Sequence, residues 1–281
     1  HQMTRADIKA ELRRSACEDR DPFKIDGPTC ISFSGGRTSA YMLRSVLASH
    51  GGKLPDDAVV CFANTGKEAE ETLEFVRDCA DAWSVEIHWV EYRNTKAGFA
   101  EVDFHSASRE GEPFEAMLDK KQFLPNPVMR FCSHELKNKP IAAFCGLGDE
   151  DTMVGVRWDE PRRHAKMRAR GFHLPLIEAR TSKQHVREFW RHQKFDLLLP
   201  ERDGLTNLGN CDLCFMKDMD VIMSNVRQKP QRAVWWARQE KKRDATFHKN
   251  RPSYASMHEF AIAQHDFIGH SGDAIECFCG D

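Results

Sequence analysis

The sequence predicts an α/β protein: an open, mostly parallel twisted sheet with helices on both faces, followed by a helical and looped C-terminal extension. Three observations lead there. Strand and helix signals alternate between Cys30 and Val90 in the order strand, helix, strand, helix, strand, the pattern of parallel crossover units. A paired-glycine turn, Gly35-Gly36, joins the first strand to the first helix. Apolar runs are short, the longest being of the kind Val59-Val60-Cys61-Phe62-Ala63, and 30% of residues are charged, which excludes collagen, low-complexity and disordered classes.

Taken in order, Cys30 to Phe33 reads as a short buried strand. Thr38 to Ser49 reads as a helix carrying Tyr41, Leu43, Val46 and Leu47. Ala58 to Phe62 is a second strand. Lys67 to Trp83 is a helix, because Leu73, Val76, Ala80 and Trp83 recur at helical spacing. Glu86 to Val90 is a third strand. Residues 93–129 read as irregular, since Pro113, Pro125 and Pro127 interrupt any long element. Cys132 to Phe144 reads as a helix, Thr152 to Val156 as a strand and His185 to His192 as a helix. Beyond about residue 200 strand signals are lacking. The expected organisation is a helical lead-in over 1–26, an α/β domain over 27–200 and a cysteine-containing helical and looped region over 201–281.

The net charge of -2 is unevenly spread. Residues 227–251 carry nine Lys and Arg against Glu240 and Asp244, and residues 157–170 carry six against Asp159 and Glu160. Two basic segments on an acidic body suit a partner bearing phosphates, with solvated helix faces as the alternative. In the 227–251 segment and just beyond it, Trp235, Trp236, Phe247 and Tyr254 accompany the charges. Such rings can stack on bases, although at least one tryptophan is expected in the core. No apolar stretch approaches the roughly 18 residues of a membrane span, so no membrane role is expected.

Ten cysteines without a secretory signal argue against a disulfide framework and for a reducing, cytoplasmic setting. Cys211-Asp212-Leu213-Cys214 forms a C-x-x-C pair, Cys277 and Cys279 form a C-x-C pair, and Cys132 opens a helix. Sets of four thiolates suit zinc or an iron–sulfur cluster, and free or redox-active thiols are the alternative. Cys17, Cys30, Cys61, Cys79 and Cys145 lie in apolar or helical settings and read as packing residues.

The most informative stretch is Ser32-Phe33-Ser34-Gly35-Gly36-Arg37-Thr38-Ser39. Two glycines allow a sharp turn that aims backbone N–H groups at a ligand, and the following helix points its positive end the same way. Ser34, Thr38 and Ser39 add hydroxyls, making a phosphate cradle distinct from a Walker loop or a dinucleotide fingerprint.

These residues resemble the PP-loop of the ATP pyrophosphatases, the adenine nucleotide alpha hydrolases. Further motifs are similar to those of the phosphoadenosine phosphosulfate reductase-like branch: Asn64-Thr65-Gly66-Lys67-Glu68-Ala69-Glu70-Glu71-Thr72, Cys132 to Pro140 with Lys137, and Gly155-Val156-Arg157-Trp158-Asp159-Glu160-Pro161-Arg162-Arg163. In type the chain looks most like the ATP pyrophosphatases of DNA phosphorothioation. The resemblance implies an adenine nucleotide alpha hydrolase-like fold and cleavage of ATP to AMP and pyrophosphate, with Mg2+ on the phosphates. The product would be an adenylated substrate for sulfur transfer, as in DNA phosphorothioation or tRNA thiolation.

The resemblance makes Ser32, Ser34, Gly35, Gly36, Arg37, Thr38, Ser39, Asn64, Thr65, Gly66 and Gly155 the nucleotide-binding set, and Lys137, Arg157 and Arg163 the catalytic set. It further implies a [4Fe-4S] cluster on Cys132, Cys211 and Cys214 with Cys277 or Cys279, zinc being the alternative. A cysteine desulfurase donor and a homodimer are expected by the same analogy. Two positions depart from the pattern: Thr38 and Asn64 stand where the motifs usually carry Asp. Glu276-Cys277 is similar to the thiol motif of the sulfonucleotide reductases but lacks its His, while Gly35-Gly36 is intact where those reductases tend to lose the pair. Adenylylsulfate or phosphoadenylylsulfate reduction is therefore the runner-up, and a nucleotide-binding subunit without turnover is a third reading.

Overall fold

The structure is a computed structural model that describes residues 20–202 and 205–269. Cys17, Cys277 and Cys279, and the lead-in before residue 20, lie outside the described residues. Residues 20–28 approach the first strand without helix. The described chain divides into two compact units, one of residues up to 120 plus 131–211, the other of 121–130 plus 212 onward.

The first unit is the α/β body. Its strands are β1 (Thr29–Phe33), β2 (Ala58–Asn64), β3 (His88–Tyr92), β4 (Phe99–Val102) and β5 (Thr152–Val154), ordered β4-β3-β2-β1-β5. All neighbours are parallel except β3 and β4, which run antiparallel. The helices between the strands are α1 (Arg37–Ser49), α2 (Glu70–Trp83) and α3 (Glu112–Lys121). A helical run follows from Phe131 to Cys145: α4 (Phe131–Ser133), a π turn (His134–Asn138) and α5 (Lys139–Cys145). After β5 come α6 (Pro161–Ala169), α7 (Pro175–Glu178) and α8 (Lys183–Arg191).

Side-chain alternation divides the sheet into two buried faces, as expected for parallel strands covered on both sides. Ile31, Phe33, Val60, Phe62 and Trp89 point to the face covered by Leu43, Val46 and Leu47 of α1, Leu73 and Val76 of α2, and Trp190 of α8. Cys30, Cys61, Ala63 and Val90 point to the other face, where Ile141, Phe144 and Cys145 of α5 pack. The sequence order moves outward from β1 through β2 to β3, then returns to place β5 on the opposite side of β1. The crevice at the carboxyl ends of β1 and β5 is thus a topological switch point, where ligands bind in open parallel sheets.

Several expectations are corrected. The stretch 93–129 is not irregular: it holds β4 and α3, with the helix accommodating Pro113 in its first turn, where the missing N–H costs nothing. The second helix starts at Glu70 rather than Lys67, because Thr65 to Glu68 close a turn in which Glu68 Oε2 accepts from Thr65 N and Oγ1 at 2.9 and 2.7 Å. The helix over 132–144 contains a π turn. Pro140 has no N–H to return to Leu136, and Lys139 N bonds back to His134 O instead. The region past 200 is not free of strand: Glu201–Arg202 (β6) pairs antiparallel with Leu205–Thr206 (β7).

The second unit is helical, with α9 (Met219–Gln228), α10 (Arg232–Arg243) and α11 (Tyr254–Gly269). Its core is aromatic. Trp236 is fully buried, 5.0 Å from Phe247 and 5.3 Å from Tyr254 between ring centroids, and its Nε1 donates to Asp212 Oδ1 at 2.9 Å. Trp235 is buried as well and lies edge-on to Trp236. All four aromatics expected to stack on bases are therefore core residues, and the basic side chains of α10 stand without exposed rings among them.

Glu240 is buried in this core, and its two oxygens accept the backbone N–H groups of Phe247 and Tyr254 at 3.1 and 2.8 Å. Burial pushes its carboxyl above the ordinary value despite those bonds. Between the ordinary and the raised value, the folded chain holds a proton that the unfolded chain has released. Stability contributed by this group therefore falls as pH rises through that window. Urea unfolding across the window should show that slope in the parent chain and a flatter one in Glu240→Gln.

Candidate functional site

The turn after β1 is shaped by contacts that only glycine permits. Gly35 has φ +76°, and a Cβ there would lie 2.8 Å from Thr72 Cγ2 and 3.1 Å from Phe62 Cε2. Gly36 is the N-cap of α1 and makes no side-chain cap hydrogen bond, and the positive end of the helix points at the turn. The hydroxyls, in contrast, are engaged within the turn. Buried Ser39 Oγ accepts from Ser34 N at 3.1 Å, lies 2.9 Å from Ser34 Oγ and donates to Gly36 O at 3.0 Å. Ser39 Oγ thus fixes the shape of the turn.

The segment after β5 closes on the same turn. A Cβ on Gly155 would lie 3.3 Å from Ser39 Cα, so the two backbones approach to near contact. Two residues on, Arg157 Nη1 donates to Thr38 Oγ1 at 3.3 Å, while Nε meets Asp159 Oδ1 at 2.8 Å and Nη1 lies 3.6 Å from Glu160 Oε2. Arg163 bonds Glu160 Oε1 at 2.7 Å from an exposed position. Arg37 faces elsewhere, with its guanidinium gripped at both ends by Asp196 at 2.7 and 2.8 Å. Ser32 stays within β1, half-buried, in register with Cys61 and Val154.

At the end of β2, Asn64 is fully buried. Its amide donates to Glu91 Oε1 at 2.7 Å and to Ser108 O at 2.8 Å, and its Oδ1 accepts from Gly66 N. Glu91, also fully buried, is further met by Ser108 N and Oγ and by Arg93 Nη2 at 2.9 Å. An Asp at 64 would set two carboxylates against each other, and this explains the Asn. Gly66, at φ +78°, lies against the backbone of Gly111, where a Cβ would come within 3.0 Å. Thr65 Oγ1 lies 3.5 Å from Cys211 Sγ. Lys137, in the π turn, faces Glu68 Oε1 at 3.4 Å, an oxygen with no hydrogen-bond partner on a side chain only 1% exposed.

No family model matches the chain. It is similar to the uncharacterized nin region protein ORF290 of Escherichia phage lambda, with 30% identity over 204 residues, 68% of this chain and 67% of that protein. The chain belongs to the ORF290 family.

In this ORF290-family chain the expected thiolate ligands fall in different parts of the chain. Cys132 and Cys211 are half-buried members of the first unit, Cys214 belongs to the second, and Cys277 and Cys279 fall outside the described residues. The loop bearing Cys214 is held within its own unit by Tyr254 Oη on Leu213 O at 2.6 Å and by Arg251 on Phe215 O and Lys217 O. The group of three metal-ligating side chains that does converge is one the sequence assigned to packing: Cys30, Cys61 and Cys145, whose sulfurs all lie within 4.8 Å of one another. These three could hold a metal ion. Cys145 shares sulfur hydrogen bonds with Cys30 and Cys61, and these contacts hold the Cys145 thiol well below the usual thiol range and push the other two up. Cys79 is a packing residue as expected, its thiol raised by burial.

Sequence reasoning also missed Glu68, Glu91 and Ser108. A charged residue inside the apolar run Trp89-Val90-Glu91-Tyr92 was the available signal for Glu91. Two stability measurements test this geometry. Gly35→Ala should cost about 2–4 kcal/mol, from positive φ plus overpacking, while Gly36→Ala, whose Cβ would meet only Ser34 Oγ at 3.6 Å, should stay within about 1 kcal/mol, the cost of Ala at an N-cap. Asn64→Asp should cost about 2–4 kcal/mol by leaving like charges buried together, and the double variant Asn64→Asp/Glu91→Gln should recover much of it in urea titrations.

Proposed function

We propose that the chain is an ATP pyrophosphatase of the PP-loop superfamily, with an adenine nucleotide alpha hydrolase-like fold. On this reading it transfers the adenylyl group of ATP to an acceptor that then receives sulfur. The observation that carries the proposal is the convergence at the β1/β5 switch point. A glycine turn with uncapped helix donors meets the Gly155 backbone, and Arg157 reaches the same turn. Backbone donors fixed in advance suit a leaving pyrophosphate, because they need no reorganisation as charge develops. An acceptor oxygen would attack the α-phosphorus while the bond to the bridging oxygen breaks, and pyrophosphate would carry away the electron pair.

Within that scheme Ser39 keeps the turn rigid, and Arg157 supplies a planar, permanently charged donor set to the phosphates. Asp159 and Glu160 orient Arg157 beforehand. Lys137 is a second cation, held by the buried Glu68. Mg2+ would supply charge neutralisation on the phosphate oxygens. Few protein ligands are needed for it, which accords with Thr38 in place of a loop carboxylate. Adenylyl transfer is redox-neutral, so this step needs no iron–sulfur cluster whatever the later sulfur chemistry uses.

The acceptor we favour bears phosphates. Helix α6 has no buried residue, and the side chains of Arg162, Lys166 and Arg168 have no acidic partner among the described residues. They lie on the helix that follows Arg157. A second reading, nucleotide binding without turnover, is favoured by one observation: the two carboxylates on Arg157 already satisfy much of its guanidinium.

Incubation with ATP, Mg2+ and candidate acceptors should give AMP and pyrophosphate. ADP and phosphate would overturn the proposal, and tight ATP binding with no product under any acceptor would favour the second reading. Arg157→Ala should lower turnover at least about 10²-fold, and Arg157→Lys should not restore it. Replacing Arg162, Lys166 and Arg168 singly by Ala should each reduce the salt slope of oligonucleotide binding by about one, if the acceptor is nucleic acid.

A further inference from the structure

The sheet face opposite α1 and α2 carries a second site, in the amino-terminal half of β1 and away from the glycine turn. Cys30 is the second residue of β1. Cys61 lies two register steps beyond its partner Val59 and so points to the same face, and Cys145 is the last residue of α5. Cys145 Sγ lies 3.1 Å from Cys30 Sγ and 3.4 Å from Cys61 Sγ. Cys30 and Cys61 are fully buried, while Cys145 is half-buried and gives the cluster a route to solvent. The surrounding wall is apolar, formed by Ala63, Val90, Ile141 and Phe144.

Three thiols from three elements, gathered to such short separations, are more than packing requires. A thiol is a weak hydrogen-bond donor, and a methyl or isopropyl group would fill an apolar wall at no polar cost. A donor set of sulfur alone rejects Mg2+ and Ca2+, which take oxygen, and selects soft or borderline d¹⁰ ions. At a Zn–S distance of about 2.3 Å, tetrahedral thiolates stand about 3.8 Å apart, so the sulfurs need to spread by only about 0.4–0.7 Å. A disulfide would require a closure of about 1 Å in the opposite direction and would leave one thiol over.

His88 borders the set without joining it. It is the register partner of Cys61 on β3, so it projects to the same face, and its ring lies 5.0 Å from that of Phe144, the neighbour of Cys145. Its Nδ1 is 2.7 Å from Glu101 Oε1. Its Nε2 faces Glu86 Oε2 at 3.7 Å, so both ring nitrogens are turned to carboxylates rather than to the sulfurs.

We propose that Cys30, Cys61 and Cys145 form a zinc site that ties α5 to β1 and β2, with water as the fourth ligand on the half-buried Cys145 side. On binding, the thiol protons leave to solvent as Zn2+ enters past Cys145. The proposal stands apart from the nucleotide reading and concerns the other end of β1.

The test uses the full chain carrying Cys211→Ser and Cys214→Ser, so that the C-x-x-C pair contributes no metal. Purified under reducing conditions, it should retain one zinc per chain, and Co2+ in its place should give thiolate charge-transfer absorption with tetrahedral visible bands. Cys145→Ser, at the half-buried position, should abolish retention and the rise in Tm on adding Zn2+. Zinc content and Co2+ spectrum unchanged in Cys145→Ser would overturn the site. So would a Cys30–Cys145 disulfide in the reduced preparation, or octahedral Co2+ without thiolate bands.

Discussion

Two backbone approaches organise the first unit: Gly35 against Thr72 and Phe62, and Gly155 against Ser39. Neither tolerates a side chain without displacement, and together they fix how β1 ends, how α1 begins and how β5 lies beside both. The sheet order then follows in function as well as form. Because β5 returns to the side of β1 opposite β2, the Gly155 backbone, Arg157 and the glycine turn meet at the carboxyl ends of these strands.

The polar interior is arranged around the same end of the sheet. Asn64, Glu91, Ser108 and Arg93 form one connected set in which the Glu91 carboxylate is matched by donors from each neighbour. A buried carboxylate is tolerable only when so surrounded, because removing any donor exposes its desolvation cost. That constraint accounts for Asn at a position where related motifs carry Asp. The difference reports on the neighbour across the strand pair rather than on the ligand. Glu68 plays the corresponding part for Thr65 and Lys137.

Much of this was legible before any coordinates. The alternation from Cys30 to Val90 located three parallel strands and two helices, because a buried parallel strand and an amphipathic helix differ in period. The glycine turn was legible because its composition is rare between such elements. What escaped was what depends on register or on partners far away in sequence. Residues 93–129 looked irregular because prolines were weighted over the short edge strand and the helix they border. Trp235 and Trp236 suggested stacking because a basic helix gives no sign of which face is covered. Cys30, Cys61 and Cys145 could not be joined, because 31 and 84 residues separate them and only the pairing register sets them on one face.

The two ends of β1 thus carry opposite kinds of order. At the carboxyl end, Ser39 Oγ, Asn64 and the buried Glu91 fix the turns through hydrogen bonds to neighbouring backbone and side chains. At the amino end, soft side chains close on one another inside an apolar wall, where an ion of suitable size would convert weak thiol contacts into bonds. A short sheet edged by the four-residue β4 and the three-residue β5 has limited core with which to offset an open crevice. Anchoring α5 at the far end of the strands would supply that offset without touching the turn. On that division of labour, rigidity is contributed at the end of the strands away from the glycine turn.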